Sequence, residues 1–362
     1  MKLSLDWLLI FVPVAVVLRF AQPHAETFIF ATAAVAIVPL AGWLGRATEQ
    51  IADRTSEKVG GLLNATFGNA AELIIALMAL HHGLGSVVKA SLTGSIIGNI
   101  LLVLGMAMLM GGLRHKVQKF NEEAARVRAM MLTLASVALI VPAAYDRLAG
   151  PNPLKGDADL SLAISIILLI IYGLSLLFSF YTHHHLFVTE SEDPARKHEA
   201  LWSPARSYLV LGVATALIGW MSEILVSSVE GAAKALGMTE VFVGVVVVAI
   251  VGNAAEHSTA ITVARRNRME LSVGIAVGSS IQIALFVAPV LVLASYFIGP
   301  HPIDLVFTPA EVLAVVLAVV VTDQIAGDGK SNWLEGAQLL AVYIVLALAF
   351  YFLPETAPAD RH

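Results

Sequence analysis

Apolar residues dominate this chain in long blocks, with most charged residues gathered in short breaks between them. Blocks long enough to cross roughly 30 Å of hydrocarbon, about 20 helical residues each, fall near 4–19, 27–46, 59–81, 87–111, 127–145, 160–182, 206–235, 240–264, 271–298, 305–325 and 333–352. These eleven runs predict an all-α, polytopic membrane protein with eleven transmembrane helices. The runs at 27–46 and 206–235 continue into partly polar helical extensions, which predicts long and tilted spans. The first run is short and contains Pro13. A signal peptide is the competing reading there, but no clean small-x-small cleavage pattern follows, and a span is preferred.

Composition agrees with the pattern. Of 362 residues, 58% are hydrophobic and 14% charged, against about 25% charged in an average soluble domain. Mean hydropathy is +0.81, and a soluble fold could not hide that much apolar surface from water. A nucleic-acid module, which needs a basic face, is excluded by this composition and by a net charge of −5. A soluble enzyme is disfavoured. With no cysteine, neither disulfides nor a thiolate metal centre can form. If the spans alternate, 16 Lys and Arg fall on the N-terminal side and 6 on the other. The positive-inside rule then puts the N-terminus in the cytoplasm and the C-terminus on the opposite side. In a prokaryote that membrane is the plasma (inner) membrane.

An internal repeat organises the chain. Gly68-Asn69-Ala70-Ala71-Glu72 recurs as Gly252-Asn253-Ala254-Ala255-Glu256, an offset of 184, and Gly94-Ser95 recurs as Gly278-Ser279 at the same offset. The expected organisation is an N-terminal helix (1–26), a first five-helix repeat (27–182), an acidic cytoplasmic linker (183–205), a second five-helix repeat (206–352) and a tail (353–362). An odd number of spans per repeat inverts the second copy, the plan of many secondary transporters with a midplane site at the repeat interface. The linker carries His183, His184, His185, Glu190, Glu192, Asp193 and Glu199. It is either a solvated connector or a cation-sensing element.

The candidate chemistry lies in the repeated motif. Glu72 and Glu256 sit mid-span, where an ionised carboxylate costs several kcal/mol unless it faces a partner or a wet cavity. No Lys or Arg lies at comparable depth. Asn69 and Glu72 are three residues apart and share a helical face, as do Asn253 and Glu256, and His257 neighbours the second pair. Gly68 and Gly252 either loosen the helix and free carbonyls or allow close packing. Face to face, the repeats bring together two carboxylates and two amides, hard oxygen ligands that suit Ca²⁺ better than Mg²⁺. Two carboxylates in low dielectric cannot both stay charged without a cation. When Ca²⁺ leaves, protonation is the least costly neutralisation, so Ca²⁺ and protons compete for the same oxygens.

Ser95, Asn99, Ser279, Ser280 and Gln282 flank this centre as helix-bridging groups or as support for the carboxylates. His257 either titrates or acts as a fixed hydrogen-bond donor. Glu49 and Glu230, near opposite ends of the long spans, are candidate access vestibules, and Glu223 is a candidate pathway residue.

With Gly94-Ser-Ile-Ile-Gly-Asn99 and Gly278-Ser-Ser-Ile-Gln282, these motifs resemble the Ca²⁺/H⁺ antiporter (cation/proton exchanger) branch of the calcium/cation antiporter superfamily. The likeness covers nearly the whole chain. It implies that Glu72 and Glu256 bind Ca²⁺ and protons alternately, and that Asn69, Asn253, Ser95, Asn99, His257 and Gln282 support them. It also implies that the long second and seventh spans move against a fixed core. The sodium-coupled branch usually carries Pro before the acidic residue and Gly-Thr-Ser ahead of it. Here Ala71 and Ala255 precede the acid and His257 follows the second one, which favours protons. The repeats are not identical, since Asn99 and Gln282 are displaced by one position.

The resulting expectation is a secondary transporter, not an enzyme, that exchanges cytoplasmic Ca²⁺ for protons without a resident cofactor; whether it forms a homo-oligomer is left open. A Na⁺-coupled exchanger of the same fold is the alternative. An intramembrane metal-dependent hydrolase is remote, because the one His-Glu dipeptide, His198-Glu199, has Trp202 where the second His of such a motif would stand. An ion channel is disfavoured by the repeat and the carboxylate pair.

Overall fold

The structure, a computed structural model, describes residues 5–148, 154–187 and 202–354. The acidic linker residues Glu190, Glu192, Asp193 and Glu199, the His198-Glu199 dipeptide and nearly all of the tail lie outside the described residues. The helices are α1 (Phe11–Ala21), α2 (Glu26–Ala52), α3 (Glu57–Phe67), α4 (Ala70–His81), α5 (Gly85–Ile97), α6 (Leu104–Gly112), α7 (Glu122–Leu148), α8 (Leu154–Leu177), α9 (Pro204–Val226), α10 (Val229–Leu236), α11 (Glu240–Phe242), α12 (Ala249–Gly252), α13 (Ala254–Arg265), α14 (Met269–Gln282), α15 (Ala288–Ser295), α16 (Pro309–Ala326) and α17 (Trp333–Phe352). A two-residue ladder joins β1 (Gln118–Lys119) to β2 (Lys330–Ser331), tying the turn before α7 to the turn before α17.

Among the described residues, eight helical segments are long and apolar enough to cross a membrane, or nine if the bent pair α10 and α11–α12 is one span. The fold is therefore all-α and largely membrane-spanning. This count is lower than eleven because α1, in the first run, is only 11 residues long, and because two other apolar runs are interrupted. The 59–81 run is cut between α3 and α4, and the 240–264 run between α12 and α13. Both cuts fall on the asparagine of the repeated motif: Asn69 has φ −97°, ψ 25° and Asn253 has φ −92°, ψ 2°, outside the helical well. Gly68 keeps helical angles, so the break lies at the asparagine and not at the glycine.

α2 and α9 pack side by side along much of their length, and α5–α6 and α14–α15 form the most buried part of the molecule. The core is continuous and almost wholly aliphatic, with Ile29, Ile37, Ile97, Ile100, Leu101, Leu104, Ile218 and Leu225 fully enclosed. A π-helical turn follows the serine segment in each repeat, Gly98–Val103 and Ile283–Val287. Such turns widen a helix locally and shift its side chains, and they recur at functional sites.

Candidate functional site

The two motif breaks meet at the centre of the molecule. α4 and α13 start there, so Glu72 and Glu256 each stand in the first turn of a helix. The N-terminal macrodipole stabilises negative charge at that position. The glycines explain how the carboxylates approach one another. A methyl group on Gly252 would lie 3.0 Å from Glu72 Cγ, and one on Gly68 would lie 3.4 Å from Glu256 Oε1. Each motif's glycine thus makes room for the other motif's carboxylate. Sequence spacing shows that these glycines are present but not which side chain they face, because the contact joins residues about 180 positions apart.

Around the carboxylates, the polar candidates form one network. Ser279 Oγ donates to Asn69 Oδ1 at 2.7 Å, and Asn253 Nδ2 donates to Ser95 Oγ at 3.0 Å. These two contacts are the same contact under the 184-residue offset, so each asparagine is held by the serine of the opposite repeat. Ser280 Oγ donates to the Ile96 carbonyl at 3.1 Å. Positions 96 and 280 are repeat mates, so the axis relating the repeats passes between them. Asn99 Nδ2 donates to Ser279 Oγ at 3.1 Å and to Asn253 Oδ1 at 3.3 Å, while His257 Nε2 donates to Asn99 Oδ1 at 3.2 Å. Asn69 Nδ2 donates to Gln282 Oε1. The one-position displacement of Asn99 and Gln282 thus has a consequence: Asn99 bonds Asn253 directly and Gln282 bonds Asn69, so each reaches the opposite repeat's asparagine.

Three of the four carboxyl oxygens are left over. Glu72 Oε1 and Oε2 and Glu256 Oε2 are shielded from solvent and have no hydrogen-bond partner among the described residues. The two groups are close enough to repel one another when both are charged, and among the described residues no Lys or Arg pairs with either. Buried polar atoms are nearly always satisfied, so these three carboxyl oxygens make Glu72 and Glu256 the candidate ion- and proton-binding groups. His257 lies in the network as a donor to Asn99, and its ring faces an amide oxygen and not a carboxylate.

The three access candidates lie away from this centre. Glu223 pairs with His82, whose Nε2 is 2.9 Å from both carboxylate oxygens, at the far end of α4; the side chains are 45% and 33% exposed. Glu49, near the C-terminal end of α2, and Glu230, in the first turn of α10, are exposed. A cavity of about 430 Å³ opens near the α4–α5 turn, lined by Lys89, Asp304 and Glu311 among others. Sequence reading did not single out these three residues. Glu311 is signalled by the capping box with Thr308 at the start of α16, and its Oε1 also accepts from Thr93 Oγ1 at 3.4 Å.

An interrupted-helix core with a buried, uncompensated carboxylate pair shared by two repeats defines a membrane carrier for small cations. The chain belongs to the sodium/calcium exchanger protein family, which matches residues 25–181 and 206–352, and within it to the Ca²⁺/H⁺ antiporter branch. It is 49% identical to a Ca(2+)/H(+) antiporter of Aphanothece halophytica, an alignment covering 96% of each chain. It is 45% identical to the Ca(2+)/H(+) antiporter ChaA of Bacillus subtilis, covering 90% of this chain and 92% of that one. The solved structure of native YfkE, 41% identical, superposes with a TM-score of 0.83 over 97% of this chain and 100% of its own.

Proposed function

We infer that the chain is a secondary active transporter, not an enzyme, that exchanges Ca²⁺ for protons at the Glu72–Glu256 pair. The observation that carries this reading is the set of three buried carboxyl oxygens without a partner among the described residues. Glu72 and Glu256, with Asn69 and Asn253, supply hard oxygen ligands to Ca²⁺. Ser95, Asn99, Ser279, Gln282 and His257 hold the asparagines in place. When Ca²⁺ departs, each carboxylate takes up a proton, because two bare negative charges in low dielectric repel strongly. Charge accounting gives about two protons per Ca²⁺. The empty, doubly charged carrier is the costly state and does not cross, which couples the two flows.

The topology we propose has eleven spans, counting the interrupted runs as one each, with an N-terminal helix, two inverted five-helix repeats and a cytoplasmic linker between them. The N-terminus is cytoplasmic and the C-terminus lies on the opposite side; in a prokaryote the membrane is the plasma (inner) membrane. Access alternates as the α2–α9 pair moves against the core, and Glu49, Glu223 and Glu230 line the approaches. Proton influx then drives Ca²⁺ out of the cytoplasm.

In proteoliposomes, an imposed pH gradient should drive radiolabelled Ca²⁺ uptake. Glu72→Gln and Glu256→Gln should each abolish it, since a neutral amide neither binds Ca²⁺ as tightly nor exchanges a proton. Wild-type uptake in either variant would refute the site. Uptake driven by a Na⁺ gradient at symmetric pH would replace protons with Na⁺ as the coupling ion.

A further inference from the structure

The two repeats share a sequence pattern but not a set of contacts. Gly94 of α5 lies against the chain between α11 and α12 so closely that a methyl group on it would sit 1.9 Å from the Val245 carbonyl oxygen. Under the 184-residue offset the mates of Gly94 and Val245 are Gly278 and Gly61. That second contact is open. A methyl group on Gly278 would have nothing within 4 Å, and Gly61 faces the Phe180 ring instead.

Two neighbouring contacts repeat the asymmetry. A methyl group on Gly244 would lie 2.7 Å from Ala90 Cβ, whereas at the mate positions Gly60 faces the Ala52 backbone and Gly274 lies beside Arg128. Ser86 Oγ donates to Glu240 Oε2 at 3.4 Å. Its mates are Glu270 and Ser56, the same two chemistries with their places exchanged. At present Glu270 accepts from Arg128 Nη1 at 3.3 Å, and Ser56 caps α3.

The unmade contacts have the residues they need. Gly61 is smaller than Val245, Gly274 is smaller than Ala90, and glycine stands at the other two positions. We propose that Gly278 is the seat on which the α3 backbone closes, at Gly61, when the carrier exposes its carboxylates to the opposite side. Gly60 comes to rest on Gly274 and Ser56 on Glu270 in the same movement, while the Gly94–Val245 contact opens. Closure is then an exchange of equivalent contacts between repeats. Gly278 is a positioning residue for transport: it touches neither ion, and it sets whether one side of the site can be sealed. This inference rests on the carrier reading above.

Gly278→Ala tests it. The added methyl meets open space in the present arrangement, so the variant should fold, bind Ca²⁺ like wild type in detergent and show no fall in melting temperature. In the closed arrangement the same methyl would meet backbone, so pH-driven Ca²⁺ uptake should fall about ten-fold or more. A second measurement uses the cysteine-free chain. Gly60→Cys with Gly274→Cys should cross-link on oxidation in membranes, arrest uptake, and recover with reductant. Wild-type uptake by Gly278→Ala, or no cross-link at 60 and 274, would overturn the proposal. The cross-link is read without any transport assay. A wild type that failed to exchange Ca²⁺ for protons would therefore sink the carrier reading and still leave the seat to be judged on its own.

Discussion

Asn99 is the residue on which the polar contacts of the site converge, touching Asn253, Ser279 and His257 at once. It is 1% exposed, so water cannot replace what it supplies. Asn99→Leu keeps the volume roughly, strands Asn253 Oδ1 and His257 Nε2, and takes a donor away from Ser279 Oγ. Each unsatisfied group costs about 1–3 kcal/mol, more than the apolar side chain returns by burial in a polar setting. A lower melting temperature and weaker Ca²⁺ binding by about ten-fold or more are expected, read by a thermal melt and a Ca²⁺ titration on one preparation. The sequence identifies Asn99 as polar and intramembrane. Its position as a hub depends on three elements meeting, and neither α13 nor α14 is near it in the chain. The same holds for Gly68 and Gly252, whose service to the opposite carboxylates is invisible to spacing.

At the scale of elements, the two half-helices α4 and α13 do what a continuous span could not. A break exposes a helix N-terminus in mid-membrane, and that positive end stabilises the adjacent carboxylate by about 0.3–1 kcal/mol or more when partly buried. The apolar run was legible from hydropathy; the break was not, because Asn is only mildly unfavourable in a helix and the context decides. The contact between α5 and the chain before α12 allows a further check. Alanine in place of a helical glycine normally gains about 1 kcal/mol. At Gly94 it would meet a carbonyl oxygen at 1.9 Å, and backbone cannot rotate away as a side chain can. Overpacking of about 1–3 kcal/mol outweighs the gain. Gly94→Ala should therefore melt lower than wild type, while Gly278→Ala should not, although the two glycines are repeat mates.

Over the whole molecule, the proposed orientation rests on charge. If the eleven proposed spans alternate, 16 Lys and Arg fall on one side and 6 on the other, and the chain contains no cysteine to interfere with labelling. Single cysteines at Arg266, beyond α13, and at His301, between α15 and α16, should react with a membrane-impermeant thiol reagent from opposite sides, Arg266→Cys from the cytoplasm. Reaction of both from one side would overturn the proposed alternation, and reaction of Arg266→Cys only from outside would reverse the proposed orientation. At this scale too the repeats are unequal. The contacts around Gly94 are made and those around Gly278 are not, so one sequence pattern carries two packings within one chain.

Hydropathy and a five-residue motif repeated at an offset of 184 were enough to indicate the class, the membrane-spanning character and the residues that meet at the candidate centre. Those properties depend on local composition and on identity at equivalent positions, which a linear chain displays directly. The helix breaks, the pairing of each glycine with the other repeat's carboxylate, and the difference between the two repeats were settled only by the tertiary structure. They depend on which surfaces meet across nearly half the chain, and two copies of one motif can pack in more than one way at similar cost.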